Sequence, residues 1–249
     1  MEPISPLPRP HADEQGFTLI ELLVTMLTAT VVAGALFAVL NLSTTQTAAL
    51  SDKVQADQLG RIAMTRIVNA LHSACIAPAF TPIQENSTGS KLIFITAYSE
   101  KALIPEAELH EITWSETLHT LTDSHIKSTG GAWPDFTFPE TRKSTPLAQN
   151  ITQNESGGKK LPIFRYYSYA TETTTGEAIP TTTLNSEPLP GTKLSVGEAE
   201  EAASVLVSFN AAPTNGKTTF NRSVNLSAQT TFAYSVPNSE TPIHDAPCQ

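Results

Sequence analysis

The residues GFTLIELLV (16–24) open a long apolar run near the start of this chain of 249 residues. Residues 17–40 number 24, and Glu21 is the only charged residue among them. An α-helix rises ~1.5 Å per residue, so about 20 apolar residues cross the hydrocarbon core of a bilayer. The run therefore predicts a membrane-spanning helix with a carboxylate near its start, where a charge in contact with lipid needs a partner.

The spacing of Gly16, Phe17 and Glu21 resembles the signature of type IV prepilins. In that family a short polar leader ends in Gly, the mature chain begins with Phe, and a Glu is its fifth residue. The resemblance implies that a prepilin peptidase cleaves between Gly16 and Phe17, and that the new amino group of Phe17 is then methylated. It also implies that Glu21 pairs with the amino group of a neighbouring subunit during filament assembly, which lowers the cost of burying both charges.

Residues 1–16 are accordingly expected to be a leader peptide. They contain one arginine, Arg9, against three acidic residues, whereas leaders of the family usually carry several basic residues. The positive-inside rule therefore gives little support for a cytoplasmic leader, and the expected topology rests on the motif. The motif implies a single-pass protein of the inner or cytoplasmic membrane, with its head outside the cytoplasm, that later joins a filament or the cell surface.

The apolar run is expected to continue as one helix over residues 17–73, because no proline lies between Pro10 and Pro78. Residues 17–40 are its predicted transmembrane half, and residues 41–76 are its predicted amphipathic half. Apolar residues recur in the second half at mixed helical spacings, which predicts a buried stripe on one face. The predicted stripe consists of Leu50, Val54, Ile62, Met64, Ile67, Val68 and Leu71.

Residues 77–249 are predicted to form a β-rich globular head, since short β-branched runs alternate there with Pro, Thr, Ser, Asn and Gly. The candidate strands are residues 91–97, 110–114, 118–121, 161–169, 203–210 and 222–233. The last two alternate apolar and polar residues on either side of an Asn215-Gly216 turn signal. Residues 203–233 are therefore predicted to be an antiparallel hairpin.

Three other stretches of the head receive different predictions. No regular period survives in residues 128–158 or in the Thr- and Pro-rich residues 171–189, so both are predicted to be irregular. Residues 197–202 favour a short helix.

A long helix followed by strands predicts an α+β fold, with the helix packed on an antiparallel β-sheet head. This order also resembles the pilin architecture, and residues 162–167 with the terminal hairpin are similar to PilW-like minor pilins and J-type pseudopilins.

No catalytic arrangement is apparent in the sequence. His110-Glu111 is followed one helical turn later by Trp114 rather than a second histidine, so the zinc-protease motif is absent. No phosphate-binding loop, nucleophile elbow or calcium loop occurs either. A metal site could gather from His110, His119, His125, Glu106, Glu108 and Glu111. The expectation is that these are ordinary solvated side chains, and that the chain has no enzyme activity, metal or cofactor.

The charge of the chain also limits its partners. The formal net charge is −9, which provides no basic surface for duplex nucleic acid. Aromatic residues cluster beside Lys159, Lys160 and Arg165, as in a platform for single strands. The cluster consists of Phe164, Tyr166, Tyr167 and Tyr169, of which the first three are expected to be strand core instead.

The predicted function is a structural one, as a minor pilin or pseudopilin subunit of a type IV pilus-like filament. Its partners would be the prepilin peptidase, other pilin or pseudopilin subunits and the membrane. A pseudopilin of a type II secretion system or of a competence machine for DNA uptake is an alternative within the same class. An alternative of another class is a binding or enzyme domain that uses the same anchor.

We predict a disulfide between Cys75 and Cys248, the two cysteines of the chain. Cys75 lies near the predicted helix end and Cys248 near the end of a proline-containing tail, which would fray unless tied down. The bridge would close a loop of about 170 residues, for which chain entropy gives roughly 4–5 kcal/mol. Alkylation of the unreduced, denatured protein should modify neither thiol, and alkylation of both would disprove the bridge.

Overall fold

The computed structural model describes residues 16–74, 82–98, 106–132, 135–174, 177–189, 192–215 and 222–232. In chain order its elements are α1 Leu19–His72, β1 Lys91–Tyr98, β2 Glu106–Ser115, β3 Thr120–Lys127, β4 Gly130–Ala132, β5 Asp135–Thr137, β6 Lys143–Ala148, β7 Ile151–Thr152, β8 Glu155–Ser156, β9 Lys159–Lys160, β10 Phe164–Tyr167, β11 Tyr169–Thr174, β12 Glu177–Leu184, α2 Val196–Glu201, β13 Ser204–Ala211 and β14 Val224–Thr231. The fold is α+β, as predicted. The chain divides into two compact units, Met1–Ala48 and Ala49–Gln249.

The long helix α1 confirms the expectation of one unbroken helix, since it runs for 54 residues and stays helical throughout. The predicted ends were residues 17 and 73, within two residues of the observed ones. The sequence of α1 contains no proline, so no backbone donor is lost and no ring clashes with a preceding carbonyl. The boundary between the two compact units falls within this helix.

The second unit packs the later turns of α1 against its sheets through small residues as well as large ones. The buried residues of α1 are Ala56, Gly60, Ala63, Met64, Ile67 and Leu71. Three members of the predicted stripe, Leu50, Val54 and Ile62, are instead exposed, and that part of the prediction was wrong. The reason is that a helix approaches a sheet most closely where its side chains are smallest, and spacing of large apolar residues does not show this face.

The first large sheet is antiparallel, with strand order β1-β2-β3-β6. Its first two strands confirm the predicted strands at residues 91–97 and 110–114. The predicted strand at residues 118–121 was misplaced, because Leu118 lies in the turn between β2 and β3 and the strand continues to Lys127. Residues 122–125 are polar, and only Leu121 and Ile126 of this strand are buried, so its sequence lacks the apolar alternation that predicts a strand.

The second large sheet has β13 at its centre, between β14 on one side and β10 and β7 on the other. The pairing of β13 with β14 over all eight residues confirms the predicted hairpin. Val205, Val207 and Phe209 of β13 are fully buried, as their alternation predicted. These side chains and those of α1 belong to one core that also includes residues of the first sheet.

Two polar aromatic side chains tie the sheets together inside this core. The indole of Trp114 on β2 donates to the Ile151 carbonyl of β7 at 2.9 Å. The hydroxyl of Tyr166 on β10 lies 3.0 Å from the carbonyls of Thr88 and Lys91, and burial raises the pKa of this phenol. Phe164, Tyr166 and Tyr167 are all buried, so the prediction that these three side chains are strand core is confirmed.

The two stretches predicted to be irregular contain strands, and that prediction was wrong. Residues 128–158 include β4 to β8, and residues 171–189 include most of the β11–β12 hairpin. These strands are short or rich in Thr, Gly and Pro, so they carry no periodic apolar signal. The predicted short helix is confirmed as α2, which begins with a capping box in which Ser195 and Glu198 bond each other's backbone N–H groups.

Gly60 provides a test of the contact between α1 and the second sheet. A Cβ atom at this position would lie 2.8 Å from Cβ of Ala211 and closer still to Cδ1 of Leu226, whereas a Cβ at Gly197 in α2 meets nothing within 4 Å. We expect Gly60→Ala to lower the free energy of unfolding by about 1–3 kcal/mol through overpacking, despite the better helix propensity of alanine. Gly197→Ala is the matched control, and chemical denaturation of the detergent-solubilised chain measures both. Equal stability of the two variants would show that the helix and sheet can separate at this contact.

Candidate functional site

The start of α1 is held by a threonine that follows the Gly16-Phe17 junction. Residues 16–18 are not helical, and the helix begins at Leu19. The Glu21 N–H donates to Oγ1 of Thr18 at 3.3 Å, and the Leu22 N–H donates to the Thr18 carbonyl at 3.2 Å. Thr18 therefore acts as the N-cap, and it leaves the Gly16-Phe17 peptide bond outside the helical hydrogen bonds.

Glu21 lies in the first turn of α1, where the unpaired N–H groups of the helix favour a negative charge. Glu21 is exposed, and none of the residues that the structure describes forms an ion pair with it. The helix start therefore favours the charge of this carboxylate without neutralising it. A partner from outside the chain is compatible with that arrangement.

The first half of α1 presents an uncovered apolar surface. Its large apolar side chains are between 49% and 83% exposed: Leu19, Ile20, Leu22, Leu23, Val24, Met26, Leu27, Val31, Val32, Leu36, Phe37, Val39 and Leu40. They occupy every side of the helix, which is typical of a segment surrounded by lipid or by other apolar helices. By length and composition, α1 is the one described helix able to cross a membrane.

The threonine hydroxyls within this surface form their hydrogen bonds inside the helix. The hydroxyls of Thr25, Thr28 and Thr30 each donate to a backbone carbonyl three or four residues earlier, at 2.7–3.0 Å. A hydroxyl without a partner costs several kcal/mol in a medium that cannot form hydrogen bonds, roughly 4–8 on the least polar scale. These internal bonds remove that cost, so the threonines do not interfere with an apolar environment.

The structure separates most of the residues that were considered for a metal site. Glu111 forms ion pairs with Arg142 and, at 3.9 Å, with Lys91. His119 lies in the turn after β2 and is exposed, and the side chain of Glu106 lies outside the description. Glu108 lies opposite Lys127, two register positions from the pair formed by His110 and His125. Cys75 and Cys248 also lie outside the described residues, so their predicted bridge stays a prediction.

His110 and His125 are brought together, and they are joined by Asp123. His110 and His125 are directly opposite each other on β2 and β3, and Asp123 lies two residues before His125 on the same face. His110 Nδ1 lies 3.2 Å from each carboxylate oxygen of Asp123, and His125 Nδ1 lies 3.8 Å from Oδ2. The sequence analysis did not group Asp123 with the histidines, because the pairing register of a hairpin fixes this contact and spacing alone does not.

Comparison with protein-family models, with curated proteins and with solved structures found no match for this chain. The chain itself offers two features that bear on its function: the capped start of the apolar helix and the His110–Asp123–His125 cluster on the first sheet.

Proposed function

We propose that this chain is a structural subunit of a type IV pilus-like filament, made as a precursor and cleaved between Gly16 and Phe17. The proposal is carried by one observation, an exposed apolar helix with a lone carboxylate in its first turn, directly after a Gly-Phe junction. The helix anchors the precursor as a single-pass membrane protein with its head outside the cytoplasm. The same helix then packs with the helices of other subunits in the filament.

The geometry around Gly16 supports cleavage at this position. Gly16 is exposed and non-helical, and a Cβ atom built on it would meet nothing within 4 Å. A peptidase needs to bind the backbone on both sides of the bond it cuts, and a helical backbone already uses its N–H and C=O groups. Since α1 starts only at Leu19, the Gly16-Phe17 bond remains available without unwinding the helix.

The position of Glu21 supports assembly through charge pairing. Cleavage would place a new ammonium group on Phe17, four residues before the carboxylate. An ionisable group within a membrane segment costs roughly 2.5–3.5 kcal/mol at the centre of the bilayer and less near its edge. Pairing the ammonium of one subunit with Glu21 of another reduces this cost for both, and it also fixes the axial position of each helix.

The cellular system is open within this class. A pilus subunit and a pseudopilin of a secretion or competence machine share the processing step and the helix packing described above. Nearby genes would distinguish them, because a retraction ATPase indicates a pilus and a secretin indicates secretion. A membrane-anchored binding or enzyme domain, the alternative of another class, requires neither cleavage after Gly16 nor incorporation into filaments.

Processing is tested by mass spectrometry of the N-terminus of the native protein. We expect a chain that begins at Phe17 and carries one methyl group on its amino nitrogen. Gly16→Leu should abolish cleavage, because a small residue is needed at the cut. Gly34→Leu is the matched control, since Gly34 also has open space around it but lies within the helix. A native N-terminus at any other residue would exclude the prepilin assignment.

Assembly is tested by replacing Glu21 with its neutral isostere. Glu21→Gln should be inserted and cleaved normally but should fall about tenfold or more in sheared filament fractions, because ~1.4 kcal/mol of lost pairing corresponds to a factor of ten. Glu200→Gln, at an exposed position of α2, is the control for a change of charge alone. Immunoblots of membrane and sheared fractions give both measurements. Undiminished recovery of Glu21→Gln would remove charge pairing from the assembly step.

A further inference from the structure

The core-facing side of the first sheet ends in a group of three metal-binding residue types. Along β2, His110 shares a face with Ile112 and Trp114, which are buried in the core. Across the register, Ile112 is paired with Asp123 and His110 with His125. The three polar side chains therefore continue the apolar face of the sheet toward its margin. Their side chains are 15%, 16% and 25% exposed for His110, Asp123 and His125, so an ion can reach them from solvent.

The separations of the donor atoms fit a small tetrahedral ion. Two donors bound to one zinc ion at about 2.1 Å lie roughly 3.4 Å from each other. The observed separations from Asp123 are 3.2 Å to His110 Nδ1 and 3.8 Å to His125 Nδ1, on either side of that value. One ligand atom from each residue lies within 4.8 Å of those of the other two.

One potential metal-ligand atom of the cluster, Nδ1 of His125, has no hydrogen-bond partner among the residues that the structure describes. Nδ1 of His125 is buried from solvent and has no hydrogen bond, although its ring faces Asp123. A buried polar nitrogen without a partner costs about 1–3 kcal/mol. At His110 the situation differs, because the carboxylate of Asp123 can only accept, so the shared hydrogen belongs to Nδ1 of His110. A metal ion would replace that hydrogen and would also bind the unpaired nitrogen of His125.

We propose that His110, Asp123 and His125 bind one divalent transition-metal ion of the Zn²⁺ type. Two imidazoles and one carboxylate suit zinc and its neighbours in the first transition row. Calcium and magnesium prefer ligand sets made of oxygen, so a set with two nitrogens disfavours them. Three protein ligands leave the fourth position to water or to a group from another molecule.

The surroundings hold the ligands in place before any ion binds. The ring of Phe94, which is fully buried, stacks on His110 with centroids 5.1 Å apart, and His110 in turn stacks on His125 at 5.7 Å. Backbone pairing of β2 with β3 fixes the separation of the two histidines. Ligands on paired strands lose little conformational freedom on binding, which favours affinity. Lys143 of β6 lies opposite His125 in the register, and Glu108 and Lys127 lie opposite each other two positions further along β2 and β3.

Zinc binding by the full chain in detergent tests the proposal. The unreduced protein is treated with a chelator and with an alkylating reagent, so that no thiol can bind the ion. ZnCl2 is then added by equilibrium dialysis, and bound zinc is measured by elemental analysis. We expect about one high-affinity zinc ion per chain, and more than about 100-fold weaker binding in His110→Gln, Asp123→Asn and His125→Gln, since even outer-sphere changes cost 10–100-fold. Cobalt bound at the site should show the visible absorption of a tetrahedral ion.

A histidine outside the cluster provides the matched control. His119 lies in the exposed turn between the same two strands, with a φ of 52° that asparagine tolerates well, so His119→Asn should bind zinc like the wild type. Circular dichroism checks the fold of each variant, and Asp123→Asn preserves the shape of the side chain if a histidine variant fails to fold. Absence of stoichiometric zinc in the wild type, or unchanged binding in a folded Asp123→Asn protein, would overturn the proposal.

Discussion

The backbone of α1 satisfies its own hydrogen bonds, and everything else in this protein depends on that. Because no N–H or C=O along the interior of the helix needs an outside partner, its side chains alone decide which environment each part can occupy. From residue 22 to residue 40 they are apolar apart from three threonines, whose hydroxyls bond back to the helix. From residue 49 onward one face carries Ala and Gly at the closest contacts and larger residues in later turns. One helix therefore serves two compact units with different burial requirements.

The two sheets of the head share one core, and the polar groups of Trp114 and Tyr166 that enter it have hydrogen-bond partners. Trp114 and Tyr166 bring a donor each into the interior, and in both cases a backbone carbonyl of the other layer or of a loop accepts it. One charge of the helix is compensated in the same way, since Asp52 pairs with Arg222 just before β14. An unpaired group at any of these positions would cost more than its bond contributes. The packing of the core and the hydrogen bonds of its polar groups thus favour the same arrangement of the two sheets.

The sequence predicted those parts of the fold in which a local pattern and the tertiary environment agree. The helix followed from the absence of proline, and the β13–β14 hairpin followed from alternation around a turn signal. The buried face of α1 was predicted correctly at Met64, Ile67 and Leu71 and incorrectly at the three exposed residues before them. The buried Gly60 and Ala63 were missed because they carry no hydrophobic signal. Strands such as β6 and β12 were missed because half of their residues are polar and each contains a proline, which is unusual in a strand. The grouping of Asp123 with His110 and His125 depends on strand register, which no local spacing reveals.

The two proposals rest on the same physical point, that ionisable groups were placed beside apolar ones without a full set of partners. At Glu21 the nearest surroundings are exposed Leu and Ile side chains, and at His110 they are Phe94 and the rim of the core. Such groups are costly if left uncompensated, so each position calls for a specific counter-group. For a lone carboxylate on an apolar helix, a cation from a neighbouring chain is the fitting complement. For two imidazoles and a carboxylate, of which one imidazole has an unbonded nitrogen, the fitting complement is a metal ion. One ion can bind all three ligand atoms at once.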